Sequence, residues 1–408
     1  MKKLLKYLYI LLITPIILVI LYLNISLFHS ATCDETEEGI VNTEVVHQLN
    51  FIKTKIDEGA ANEMQHIYPE GFVFMHSLYA LAWADIAETL QPNSELHKKA
   101  IREIDLSLEA INSDEGKAPF PENLFLNYGV FYRGWANYVL AKKLSITPEN
   151  QRDTSEIKLF QENCDSIMLA FAKSPYSYLQ SYLYVSQVWQ ADNVVALASV
   201  AYYDKIFEPR YTKQVKNQLD KFKKSIEPET GLIGHSYNYS ASENTAPRGS
   251  SQSIINNFLF DIDTAFAKQQ VENFKEWFVD YRFGLPGIRE HQKGITDAGD
   301  IDSGPVIWDI GGSGSIVSIR TMGLANETEI YKGLRNSVQG FGAAYTTNGQ
   351  KKFIFGQLPM ADAFIAWSNA KNCQINQKSS YWQWKFQLLS LGILGLIFLG
   401  FKGISRLQ

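Results

Sequence analysis

Two kinds of helical segment alternate along the middle of this chain, and that alternation restricts the fold more than any other feature. One kind is apolar nearly all round and rich in Ala, Gly and aromatics: residues 72–88, 124–143, 179–203, 251–266, 304–322 and 360–369. A helix apolar on every side must be buried on every side. The other kind is amphipathic and charged: residues 40–58, 94–111, 153–172, 210–226, 268–282 and 327–340. In the second of these, Leu96, Ala100, Ile104 and Leu108 form one apolar stripe, while Lys98, Arg102, Glu103 and Glu109 fall outside it. Such a helix keeps one face wet.

Charged and apolar segments pair six times, the apolar ones recurring roughly every 50 to 70 residues, which points to a repeated supersecondary unit. The expected fold is all-α: twelve helices as six hairpins in two concentric layers, an (α/α)6 toroid with the apolar helices inside. No stretch sustains the period-two alternation of a large β domain.

Both ends of the chain read as membrane segments. Leu8–Phe28 is almost wholly apolar, close to the ~20 residues that span a bilayer and longer than the ~7–15 of a signal peptide's apolar region. Phe386–Phe401 is apolar apart from Gln387 and Ser390, with Trp382 and Trp384 before it as an interfacial belt. Lys2, Lys3 and Lys6 flank the first span, and Lys402 and Arg406 follow the second, so the positive-inside rule places both termini in the cytoplasm. The expected organisation is therefore a tether over residues 1–33, a domain over 34–380 on the far side of the inner or plasma membrane, and a second tether over 381–408. The lipid bilayer is one partner. A net charge of −5 and the absence of a basic stripe leave no case for nucleic acid. Cys33 and Cys373 each lie a short distance from a span, and the sequence leaves a disulfide and two free thiols equally open. No CxxC or Cys/His cluster marks a metal site, and nothing calls for a cofactor.

The connections are asymmetric. Turns from apolar to charged segments are short and carry stop signals, as in Gln91-Pro92-Asn93 and Glu208-Pro209. Those leading into the apolar segments are long and polar or aromatic. In a closed ring the long ones share one face, around the N-termini of the inner helices, where loops carry function and helix dipoles favour anions. Six hairpins with long loops on one rim resemble the (α/α)6 toroids of six-hairpin glycosidases and polysaccharide lyases. Thr245-Ala246-Pro247-Arg248-Gly249-Ser250-Ser251-Gln252, followed by the Gly299–Pro305 loop, also resembles linalool dehydratase/isomerase-like toroids. The chemistry of that second family is associated with a pocket cysteine pair, whereas the remaining cysteine here, Cys164, falls on a charged outer segment.

Candidate site residues come from those loops. Asp300 and Asp302, two apart, suit a carboxylate pair flanking a scissile bond, or a turn and cap at a helix start signalled by Ser303 and Pro305. Glu290 is a candidate partner carboxylate and Arg289 a candidate anion clamp. His235 is the natural acid/base near neutral pH, and Arg248 a second clamp just before an inner helix. Tyr237, Tyr239, Tyr128 and Tyr178 are aromatic surfaces for a carbohydrate or lipid-like small molecule. The expected function is general acid/base hydrolysis or lyase chemistry on a glycan or cell-envelope polymer. An isoprenoid- or lipid-processing toroid and a non-catalytic binding or assembly module are the alternatives.

Overall fold

The structure is a computed structural model that describes residues 2–183, 186–301, 303–375 and 382–406. In chain order it runs α1 (Lys2–Ser26), β1 (Cys33–Thr36), β2 (Gly39–Asn42), α2 (Thr43–Asp57), α3 (Ala60–Ile67), α4 (Gly71–Ala87), α5 (Glu95–Asn112), α6 (Asp114–Lys117), α7 (Gly129–Ile146) and α8 (Thr154–Lys173). It continues β3 (Gln187–Trp189), α9 (Gln190–Ile206), α10 (Thr212–Lys224), β4 (Ser236–Asn238), β5 (Glu243–Asn244), α11 (Gly249–Ile262), α12 (Thr264–Phe278), β6 (Val279–Arg282) and β7 (Leu285–Ile288). The last elements are β8 (Val306–Ile307), β9 (Ile310–Gly311), α13 (Gly312–Leu324), α14 (Thr328–Phe341), β10 (Tyr345–Thr347), β11 (Gln350–Lys352), α15 (Pro359–Asn369) and α16 (Trp384–Arg406).

The apolar helices contact one another in cyclic order. α4 touches α7, then α7 α9, α9 α11, α11 α13 and α13 α15, and α15 returns to α4. The amphipathic helices lie on this inner set: α5 on α4 and α7, α8 on α7 and α9, α12 on α11, α14 on α13, and α2 on α15 and α4. Neighbouring inner helices run the same way. A Cβ on Gly134 of α7 would lie 3.0 Å from the amide nitrogen of Ala196 in α9, and one on Gly314 of α13 would lie 3.1 Å from the carbonyl carbon of Gly249 in α11. All inner N-termini therefore meet at one end, here called the open end, and all C-termini at the other, the closed end.

Aromatic side chains fill the middle of the ring. Phe74 packs against Phe131 at 4.9 Å, Trp135 at 5.1 Å and Phe364 at 5.6 Å, and Trp135 meets Phe258 at 5.3 Å between centroids. At that density the rings form a floor rather than the wall of an open shaft.

The small sheets lie in the connections. β3–β4–β5 ties the loop before α9 to the loop before α11, and the hairpins β6–β7 and β8–β9 occupy the path from α12 to α13. Three expectations change here. The third inner helix begins at Gln190 rather than 179, because the preceding Tyr-, Val- and Trp-rich run contributes strand β3 instead. Residues 279–282 of the fifth amphipathic segment are strand β6. The helix expected from residue 304 begins at Gly312, because Gly304, Trp308 and Asp309 take φ of +61°, +50° and +68°, a reversal no helix accommodates. Pro305 accordingly precedes a hairpin and does not open the helix.

Cys33 and Cys373 form a disulfide with Cα atoms 5.8 Å apart, which settles the alternatives left open by spacing. The terminal helices contain stretches, Lys6–Ser26 and Trp384–Ser405, long and apolar enough to cross a membrane, with mean hydropathy 2.5 and 1.9. They lie side by side: Tyr9 Oη donates to the Ile397 carbonyl at 2.7 Å and Asn24 Nδ2 to Ser390 Oγ at 3.0 Å.

Candidate functional site

None of the six inner helices has its N-terminal amides satisfied by the side chain of its own capping residue: Glu70, Tyr128, Trp189, Arg248, Gly311 and Leu358 all leave them free of that contact. Four of the outer helices, capped by Asn42, Ser94, Asp153 and Asp263, do have it. The open end thus presents the positive ends of six helix dipoles to the loops above them, an environment that favours anions.

At α11 the anion is supplied from another loop. Ser250 N donates to Glu290 Oε2 at 3.2 Å and Ser250 Oγ to Glu290 Oε1 at 2.7 Å. Arg248 Nε donates to Glu290 Oε1 at 2.7 Å, while its Nη1 and Nη2 fork onto Asp300 at 2.5 and 2.8 Å. One planar guanidinium therefore bridges two carboxylates. The close fit depends on Gly249, where a Cβ would lie 2.0 Å from the Arg289 carbonyl oxygen.

The two carboxylates differ in setting. Glu290 is 0% exposed, whereas the Asp300 side chain is 48% exposed. Burial raises the Glu290 pKa above its ordinary value, and the hydrogen bonds from Ser250 and Arg248 offset this only in part. The Arg248 fork holds Asp300 well below the usual carboxylate range, aided by the Ser303 amide. Asp300 is thus a fixed anion facing solvent, and Glu290 a buried group that binds its proton more tightly than usual.

His235 lies beside them. Its Nδ1 is 3.0 Å from Ser251 Oγ, and burial followed by the Arg248 charge pulls its pKa down to about 4, against a smaller opposing pull from Asp300. It is neutral at pH 7 and able to take a proton. Ser250 and Ser251, quoted in the sequence only as parts of a longer motif, are what hold Glu290 and His235 in place. Further round the rim, the His235 carbonyl accepts from Gln190 N at 3.3 Å, next to Trp189, whose ring meets Tyr182 edge-on at 6.2 Å. Tyr182 Oη in turn donates to Glu70, which caps α4.

The other candidates take different places. Asp302 lies outside the described residues. Arg289 is committed to its own loop, with contacts to Asp280 and Asp309 at 3.1 and 3.2 Å and to the Ile295 carbonyl at 2.6 Å. It braces the loop that carries Glu290. Tyr178 is fully buried, stacked on Phe222 at 4.9 Å with its hydroxyl 2.6 Å from Ser225 Oγ. Tyr239 stacks on Tyr176 at 4.1 Å and donates to the Tyr178 carbonyl at 2.7 Å, and Tyr237 packs between Tyr178 and Tyr239 at 5.9 and 5.7 Å. Half-buried Tyr128 begins α7 with φ +67° and meets Tyr132 at 5.6 Å. Tyr178, Tyr237 and Tyr239 thus pack on one another.

Two other reactive groups point elsewhere. Cys164 is buried between layers, accepting from Asn137 Nδ2 at 3.5 Å, far from any loop of the rim. Burial raises the Asp362 pKa to about 7, but its carboxylate accepts from Phe353 N at 3.1 Å and Gln48 Nε2 at 3.3 Å, on the side of α15 that faces α2.

No protein-family model and no curated protein matches this chain. Among solved structures, a glycoside hydrolase from family 105 of C. acetobutylicum ATCC 824 aligns over 81% of this chain and 100% of its own, with a TM-score of 0.52 and 11% identity. At that identity the likeness is one of fold.

Proposed function

We propose that this chain is an (α/α)6 toroid acting on a glycan of the cell envelope, with residues 34–380 as the working domain on the far side of a membrane and residues 1–33 and 381–408 as its tethers. The observation that carries this reading is the Arg248–Glu290–Asp300 cluster, set with His235 over the inner N-termini of a ring whose fold matches a glycoside hydrolase. The disulfide and the lysines flanking both spans support the far-side location.

Asp300, ionised and exposed, is the carboxylate that meets the sugar. His235, neutral near pH 7, takes the proton from a water or from the substrate. When Arg248 turns toward an anionic substituent of the glycan, the buried Glu290 loses its counter-ion, takes up a proton from solvent and delivers it as the acid of the pair. Tyr237, Tyr239 and Tyr128 flank the entrance as stacking surfaces. The isoprenoid reading is weaker, because the aromatics inside the ring fill it instead of lining a dry pocket, and Cys164 is sealed away from the rim.

The test is depolymerisation of purified envelope polysaccharides by the full-length protein, comparing wild type with Asp300→Asn, His235→Asn and Asp302→Ala. Loss of a charged or proton-transferring group at the reacting centre lowers the rate by about 10²–10⁴-fold. Equal rates for wild type and Asp300→Asn remove Asp300 from the chemistry.

A further inference from the structure

The two terminal helices leave the domain at the same end as the site. α14 runs toward the open end, since its C-terminus feeds the connection into the N-terminus of α15. Along it, the His29 carbonyl accepts from Arg335 Nη2 at 2.6 Å and the Leu27 carbonyl from Asn336 Nδ2 at 2.8 Å, and a Cβ on Gly340 would lie 3.3 Å from Ser26 Cβ. Read backwards from His29, the chain climbs α14 toward the open end and then becomes α1. α16 does the same on the other side. Trp382 lies against Gly333, and Lys385 and Phe386 lie against Gly284, in the turn of the β6–β7 hairpin.

That turn opens a run of exposed apolar side chains. Phe283, 52% exposed, packs edge-on against Trp308, 65% exposed, at 5.1 Å, with exposed Ile307 beside it. Near the α1 exit, Phe341, Phe355 and Leu358 are exposed as well, Phe355 at 68%. These residues lie at the tips of open-end connections or at the rim end of α14, on both sides of the paired spans. Exposed clusters of large apolar groups mark contact surfaces, and aromatics are favoured at the headgroup level of a bilayer. The patch also connects to the chemistry: the carbonyl of Asp309, next in sequence to Trp308, accepts from Glu290 N at 3.1 Å.

We propose that the open end is a bilayer-docking surface, with Phe283, Trp308 and Phe355 seated in the lipid headgroup region beside the spans. The inference rests on the membrane-spanning reading of α1 and α16 and deepens the functional one. The cluster of Arg248, Asp300 and His235 then faces the membrane surface, and the glycan it receives is one presented there, carried on a membrane lipid, rather than a polymer far from the bilayer.

The test uses the full-length protein in phosphatidylcholine–phosphatidylglycerol vesicles, with an environment-sensitive fluorophore on one introduced cysteine at a time and doxyl-labelled phosphatidylcholine as quencher. The sites are Trp308→Cys and Phe355→Cys at the tips, Leu159→Cys on the exposed face of α8 as the distant control, and Leu391→Cys within α16. Quenching at 308 and 355 at least threefold stronger than at 159, alongside strong quenching at 391, is the expected result. Tips quenched no more than 159 while 391 is strongly quenched would overturn the docking surface and leave the spans intact. No quenching at 391 would overturn the spanning premise and the proposal together.

Discussion

At the closed end Asp85 sits 1% exposed among three cations, paired with Arg320 and lying 3.4 Å from Lys142 and 3.5 Å from Lys371. At the open end the arithmetic is reversed: one cation, Arg248, lies between two anions, and one of those anions reaches solvent. Burial alone would raise the Asp85 pKa, but Arg320, Lys371 and Lys142 overcome it and hold the carboxylate ionised. Around it, Tyr138 Oη donates to Asp261 at 2.5 Å, and Lys205 pairs with Asp261 at 2.6 Å, so each charge is matched within the protein. The closed-end cluster clamps helix C-termini around the buried Asp85, Lys142 and Arg320, with Glu88, Asp261 and Lys371 partly exposed at its margin. The open-end cluster spends a helix N-terminus and an arginine on holding an ionised carboxylate in water. A charge network centred on a buried, fully matched carboxylate specifies a fold, whereas one with a fixed, accessible anion has a face to offer a ligand.

The largest expected effect comes from breaking the closed end. Asp85→Ala leaves Arg320 without its carboxylate and Lys142 and Lys371 with Glu88 alone, and removing one partner of a buried network costs about 3–5 kcal/mol. Denaturant unfolding of the detergent-solubilised protein measures it. A loss below about 1 kcal/mol would show that the closed end is not a clamp. Next in size is the Cys33–Cys373 disulfide, which joins β1 to the segment after α15 across 340 residues. Cys373→Ser lowers stability by about 2–4 kcal/mol, read as a fall in Tm, with no change in turnover.

The open end responds the other way. Asp300→Asn changes stability by less than about 1 kcal/mol, because the side chain is half exposed and its ion pair is screened, while the depolymerisation rate falls by two orders of magnitude or more. A variant that unfolds readily yet keeps its turnover would invert the comparison.

The smallest effect is a slope. In the unfolded chain the His235 imidazole takes a proton near pH 6.5, but in the fold only at about 4. Between those values the unfolded state holds more protons, so this contribution is complete above pH 6.5 and is lost as the pH falls toward 4. Its slope is at most about 1.4 kcal/mol per pH unit. His76, also pulled down to about 4, adds a second contribution of the same sign. His235→Asn therefore makes stability less steep across this window without flattening it, a change that unfolding curves between pH 4 and 7 resolve.

Much of the architecture was legible because burial on every side leaves an unmistakable composition. The run from Phe72 to Trp83 has no wet face, and it became α4. Where the sequence misled, local chemistry imitated a different element. Asp302-Ser303-Gly304-Pro305 carries the residues of a helix start, but the reversal at Trp308 and Asp309 depends on positive φ values that no residue type there announces. The aromatic run near 179–189 is as apolar as a buried helix, yet its partner strand β4 lies some fifty residues on.

The site was legible in its members but not in its wiring. Arg248, Glu290, Asp300 and His235 were each recognisable by residue type and loop position. That a single guanidinium would join residues 42 and 52 positions away depends on tertiary packing. The closed-end network was hidden for the same reason, since Asp85 and Arg320 sit singly inside otherwise apolar helices and Lys142 falls in a Lys-Lys pair near the end of α7. The commitment of Arg289 to its loop and of Tyr178 to the core follows from partners that are likewise distant or built from backbone.

Hydrogen–deuterium exchange in the presence of an envelope-derived oligosaccharide tests the central claim most directly, because it tells the two ends of the ring apart. The closed end holds a cavity of about 70 Å³ lined by Tyr138, Lys142, Tyr202, Asp261, Arg320 and Lys371. The account predicts new protection in residues 231–250 and 284–311, around His235, Arg248, Glu290 and Asp300, with the closed end unchanged. Protection confined to the segments carrying Lys142, Asp261 and Arg320 would contradict it.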